Sequence, residues 1–203
     1  YQGRTGSAIT SFFDVERTEA LRGPQGFLFG RNASSGAISI ITKKPTTDST
    51  NGYFHAGAGE RNHYEIDGAV NLPLNDKWAL RIAGYYFNED GYVNNVSHPN
   101  DDDLQSQEKG AGRISLGYEG EKLSMTLIGE YETRKQSGTV YRALADDETF
   151  DILGVSISGA PNEADSDLRD DKDDGNIYSF TALIDYEMEG MTLQSITGIR
   201  TYD

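Results

Sequence analysis

The chain has 203 residues, a net charge of −15 and no cysteine. Disulfides and thiolate metal sites are therefore excluded, and the acidity argues against nucleic acid, whose phosphates need clustered Lys and Arg. No apolar run approaches the roughly 20 residues of a membrane helix, whereas strands that are apolar on one face only suit a membrane β-barrel.

Residues 1–9 are polar and Gly-containing and read as loop. A short strand is predicted over 18–22, and Gly23-Pro24 then opens a helical turn, because Pro is tolerated where its missing N–H has no partner to lose. Gly26 and Gly30 bracket Phe27-Leu28-Phe29, a second strand runs over 37–43, and Pro45 stops it. The polar run 46–50 is a natural linker.

From Gly52 onward a two-residue period takes over. Strands are predicted at about 52–59, 62–72, 77–88, 108–118, 122–134, 176–187 and 191–202. In the third, Trp78, Leu80, Ile82, Gly84 and Tyr86 share one face, while Lys77, Ala79, Arg81, Ala83 and Tyr85 share the other. In the fourth, Ile114, Leu116 and Tyr118 oppose Lys109, Arg113 and Ser115; the first and last strands are ambiguous in phase. Short turns at 73–76, 119–122 and 187–190 alternate with long connections near 89–107 and 136–175, the exception being a tight turn at Glu60-Arg61. Outer-membrane barrels show this alternation, with short periplasmic turns and long extracellular loops. A soluble β-sandwich also alternates, but strands of 11 to 13 residues exceed the usual five or six, and aromatics gather near strand ends as membrane girdles do. Basic substitutions are expected to be costly at Trp78, Leu80, Ile82, Ile114 and Leu116, and mild at Ala79, Ala83 and Ser115.

Residues 16–45 carry Glu16-Arg17-Thr18-Glu19, Leu21-Arg22-Gly23-Pro24, Leu28-Phe29-Gly30, Gly36-Ala37-Ile38 and Thr42-Lys43-Lys44-Pro45, in that order. This succession closely resembles the end of the plug domain of TonB-dependent outer-membrane receptors, and residues 71–81 resemble, less specifically, an early barrel hairpin of that family. Thr18, Ala20, Phe27 and Ser35 depart from its preferred residues without breaking the pattern. The resemblance implies an all-β fold, a partial antiparallel membrane β-barrel, joined to the end of a small α+β plug. The expected division is plug over 1–45, linker over 46–51, and the first seven or so barrel strands over 52–203. It also implies that Arg22, with Glu19 beside it, locks the plug in the lumen, since a guanidinium can grip a carboxylate in two places. Gly23, Pro24, Gly30 and Gly36 are motif residues with conformational roles. The implied activity is TonB-dependent uptake of a bulky nutrient, most often a ferric siderophore, across the bacterial outer membrane. The energising TonB complex would engage a box expected upstream of Tyr1.

A passive porin or surface adhesin is the alternative function, and a soluble sugar-binding β-sandwich a third. His55, His63 and His98 are scattered over different hairpins without a metal-binding spacing, and no nucleophile–base arrangement or dinucleotide loop appears. The reading therefore includes no enzyme activity and no cofactor. The charge is concentrated in the two long loops: 89–103 carries five acids and no base, and 136–174 carries eleven acids against Arg142, Arg169 and Lys172. Asp165, Asp167, Asp170, Asp171, Asp173 and Asp174 lie close enough in sequence to wrap Ca²⁺, but the EF-hand order is missing, which favours a solvated acidic loop.

Overall fold

A computed structural model describes residues 12–24, 26–29, 35–99, 103–137, 162–164 and 172–203. Two antiparallel strands come first, β1 (Val15–Arg22) and β2 (Gly36–Thr42), joined through a four-residue helical turn, α1 (Gly26–Phe29). Gly23 has φ +84, which Gly adopts without the Cβ penalty, and its N–H donates to the Ser35 carbonyl at 3.2 Å. At Gly36 a Cβ would lie 2.6 Å from the Leu21 carbonyl oxygen, so only Gly lets the strands approach there.

The remainder is one seven-stranded sheet of β3 (Asn51–Ala58), β4 (Tyr64–Pro73), β5 (Trp78–Glu89), β7 (Gln107–Glu119), β8 (Leu123–Ser137), β10 (Lys172–Met188) and β11 (Met191–Tyr202). Each strand pairs antiparallel with the next, so the sheet is an up-and-down meander with β3 and β11 at its edges. The predicted strands all form, but β8 and β10 run further than expected. Ser137 pairs with Lys172 and Lys135 with Asp174, which narrows the second long connection to 138–171. The two long connections also touch, β6 (Asn94–Asn95) pairing in parallel with β9 (Glu163–Ala164), and the first closes on itself where Val93 bridges Leu104.

The period of two gives the sheet unlike faces. One carries Ile66, Val70, Ile82, Tyr86 and Ile114, all exposed and apolar. The other carries Asp67, Asn71, Arg81, Arg113, Glu130 and Glu132. Pairing settles the phases that sequence left open: Phe54 lies opposite Gly68 on the apolar side, and Leu193 opposite Tyr186 likewise. Aromatic pairs mark both ends of the ladder, Trp78 with Tyr118 at 4.8 Å beside the short turns and Tyr131 with Tyr178 at 4.9 Å toward the long connections. Asn75 stabilises the β4–β5 turn by accepting from the Lys77 and Trp78 N–H groups at 2.9 and 3.0 Å. Among the described residues no second sheet covers the apolar face, as a sandwich would require, and no helix is long and apolar enough to cross a membrane.

Candidate functional site, the charged face and the segment it holds

The charged face is not bare. On β4, β5 and β7, Ala69 lies opposite Ala83, and Ala111 opposite Tyr85, leaving a depression in the wall. Phe13, just before β1, fills it and is 3% exposed. Burying such a ring contributes about 1.5–3 kcal/mol. Tyr85 stacks on it at 6.0 Å and 18°, and the Arg113 guanidinium lies 4.4 Å from its centroid. Arg113 is held from two directions, donating from Nε to Glu130 Oε2 at 2.6 Å and from Nη1 to the Phe13 carbonyl at 3.2 Å.

Asp14 is fixed still more tightly. Arg81 donates from Nε and Nη2 to its two carboxylate oxygens at 2.7 and 2.5 Å, and the two side chains are only 5% and 1% exposed. The Asp14 N–H donates to the Tyr53 hydroxyl at 3.0 Å, while its carbonyl accepts from the Lys43 N–H at 3.0 Å. Asp14 takes up φ +52, a left-handed conformation in which Asp is one of the better-tolerated residues. Forked, doubly hydrogen-bonded pairs of this kind are among the stronger polar contacts.

The residues after β2 meet the same wall. Asn71 on β4 is fully buried, at 0% exposure. Its Oδ1 accepts from the Thr46 N–H at 3.0 Å, and its Nδ2 donates to the Thr46 and Ser49 carbonyls, both at 2.8 Å. Pro45 packs on Gly117 of β7, where a Cβ would lie 3.1 Å from the Pro45 Cβ. Above Asp14 a cavity of about 440 Å³ is lined by Phe12, Lys43, His55, Glu65, Asp67 and Tyr85, with His55 Nδ1 and Asp67 Oδ1 3.2 Å apart.

Arg22 is exposed at the end of β1, opposite Gly36 in the ladder. Glu19 pairs with Arg17 within β1 at 2.8 Å; Arg17 also meets Glu16 at 2.6 Å, and Glu19 first and Glu16 second hold its guanidinium pKa above the ordinary value. Gly23, Pro24 and Gly36 shape the turn between β1 and β2, while Gly30 lies outside the described residues. Of the acidic set, Asp173 and Asp174 belong to β10, and Asp165, Asp167, Asp170 and Asp171 lie outside the described residues. Among the described residues no group of three or more His, Asp or Glu could hold a metal ion. The contacts that sequence missed are Phe13, Asp14 and Asn71 with their wall partners. Arg81 and Arg113 were legible as inward-facing charges from the alternation, but their partners were not.

No protein-family model matches the chain. Over 71 residues, 34% of its length, it is 39% identical to the pesticin receptors of Yersinia enterocolitica and Yersinia pestis, a match spanning 10% of those proteins. Its structure superposes over 97% of the chain on the ferric yersiniabactin uptake receptor FyuA of Yersinia pestis, with a TM-score of 0.79 and 22% identity. The fold is that of the TonB-dependent outer-membrane receptors. The ferric-catecholate import receptor Fiu of E. coli K12, in its open form, matches over 94% of the chain with a TM-score of 0.75 and 20% identity. The siderophore receptor PiuA of Acinetobacter baumannii also matches over 94%, at 0.70 and 15%. The chain spans 30% of FyuA, 29% of Fiu and 27% of PiuA. In the TonB-dependent receptor fold the seven-stranded sheet is a segment of barrel wall, and the charged face, which holds the β1–β2 hairpin, is turned toward the lumen. The inner face at Ala79, Ala83 and Ser115, expected to tolerate a basic residue, is instead buried at 1%, 5% and 2% exposure. The chain's own residues cover it: Phe13 lies on Ala83, and Arg113 and Arg81 beside Ser115 are already engaged.

Proposed function

We propose that the chain serves TonB-dependent active uptake of a bulky ligand, a ferric siderophore, across the bacterial outer membrane. In this reading the β1–β2 hairpin is the end of the plug, residues 46–50 are the linker, and the seven strands open the barrel. The buried Arg81–Asp14 pair carries it, because it holds a non-barrel segment against the inner wall. A passive porin needs that lumen open for diffusion. Nothing in the proposal calls for catalysis; ligand is gripped by inward-facing charges and loops, and the energised partner rearranges the plug. Arg22 and Glu19 are proposed to face carboxylates and cations elsewhere on the barrel wall, adding to the Asp14 contact. Asp165, Asp167, Asp170 and Asp171 of the second long connection, with Asp173 and Asp174 at the start of β10, are proposed to be a solvated acidic surface rather than a Ca²⁺ site.

The test is uptake of radio-iron-loaded yersiniabactin and of a ferric catecholate by cells carrying the full-length receptor, with and without a functional TonB complex. Uptake of one of them that stops when TonB is removed supports the proposal. Equal entry in both backgrounds would establish passive diffusion instead.

A further inference from the structure

Both ends of the β1–β2 hairpin return to one small patch of wall. Phe13 and Asp14 meet it before β1, and Pro45, Thr46 and Ser49 meet it after β2. The patch is compact because its members are neighbours in the ladder: Asn71 lies opposite Arg81, and Gly117 opposite Ala79, two residues along the same strand.

We propose that Asn71 is a positioning residue that clamps the 46–49 linker to the barrel wall. With the Arg81–Asp14 pair, it fixes both ends of the hairpin, so that residues 13–14 and 45–49 stay on the wall while ligand passes. The last clause rests on the uptake reading. A polar linker of this composition is ordinarily a free tether, yet here one wall side chain, Asn71, takes three of its hydrogen bonds. An amide alone suits the position, because it must accept once and donate twice within a site closed to water. A carboxylate would lose both donors, and Leu would leave the Thr46 N–H and carbonyl without their partner and the Ser49 carbonyl with only Asn51 Nδ2, at 3.2 Å. The linker also folds on itself, with Thr46 Oγ1 donating to Asp48 Oδ2 at 2.8 Å and accepting from the Asp48 N–H at 3.2 Å. Gly117 completes the clamp by letting Pro45 lie flat against the wall. Rearrangement of the plug is thereby directed to the chain before Phe12 and to the hairpin tip beyond Arg22.

Two measurements on the full-length receptor test this. The first is hydrogen exchange in detergent, comparing wild type with Asn71→Ala. Loss of the clamp should speed exchange at the Thr46 amide by about tenfold, the equivalent of roughly one net hydrogen bond, with the β4–β5 ladder unchanged. Unaltered exchange at Thr46 would overturn the clamp. The second is a tether, Pro45→Cys with Gly117→Cys, whose 3.1 Å Cβ separation lies a few tenths short of the usual disulfide range of about 3.5–4.5 Å. The oxidised and reduced receptors should import ferric yersiniabactin or the ferric catecholate at the same rate. Uptake that is lost on oxidation and restored by reductant would overturn the claim that the linker stays in place. Should Asn71→Ala fail to assemble, the tether still decides. A wild-type receptor that imports neither probe would overturn the uptake reading alone, and the exchange comparison would then decide the clamp.

Discussion

All four polar atoms of Asp14 are engaged, its carboxylate by Arg81, its N–H by Tyr53 and its carbonyl by Lys43. A carboxylate this buried is stable as an ion only while its partner remains. Arg81→Ala or Asp14→Ala should therefore cost about 3–5 kcal/mol, because each leaves the other charge buried and alone. The paired change Arg81→Met with Asp14→Leu should recover most of that, since two apolar side chains of similar volume need no compensation. Urea midpoints of the full-length receptor in detergent, measured for both singles and the double, check this. A double variant as unstable as the singles would show that the pair itself, rather than the stranded charge, supplies the stability. This contact was not legible in the sequence. Asp14 lies outside any periodic stretch, and its partner is 67 residues away. Arg22 stands within a recognisable motif, whereas Asp14 has no local signal at all.

Strands were the most legible feature, because alternation is a local property of consecutive residues. The ends of β8 and β10 were not, since Lys135, Gln136, Asp173 and Asp174 read as loop by composition yet pair across the ladder. Phase also stayed open where composition is mixed. In β11, Ser195 shares the apolar side with Ile184, while Ile196 shares the charged side with Leu183. Where phase is firm it predicts unequal outcomes. Ile82→Arg and Ile114→Arg, on the exposed apolar face, should cost roughly 2–4 kcal/mol near the bilayer midplane. Ala83→Arg should also be damaging, for a different reason: it fills the depression and expels Phe13. The two are separable in the full-length receptor. The lipid-face variants should lower the folded fraction seen as heat-modifiable mobility on gels. Ala83→Arg should leave the barrel folded but expose the segment around Phe13 to protease. Barrel loss with Ala83→Arg equal to that with Ile82→Arg would contradict the assignment of faces.

At the scale of the whole molecule the sheet is open. Among the described residues β3 pairs only with β4 and β11 only with β10, so both outer ladders of N–H and C=O groups lack strand partners there. The apolar face is equally unprotected, with Phe54 71%, Ile199 69% and Leu193 60% exposed. In lipid, each unpaired backbone group is costly, which is why membrane strands occur in closed barrels. In water, a long flat edge templates pairing with another chain. The hairpin on the inner wall pairs with neither edge: β1 and β2 form a separate sheet, and on β3 the hairpin meets the Tyr53 side chain rather than the backbone ladder. The 203-residue chain produced alone should therefore be recovered as insoluble material. Refolding into detergent-free buffer should give large, polydisperse assemblies by size exclusion with light scattering. The same strands within the full-length receptor should give a single heat-modifiable species in detergent, because closure pairs both edges. A monodisperse monomer of the isolated chain that melts cooperatively in water would mean that the sheet covers its own edges and apolar face, and would overturn its assignment as a wall segment.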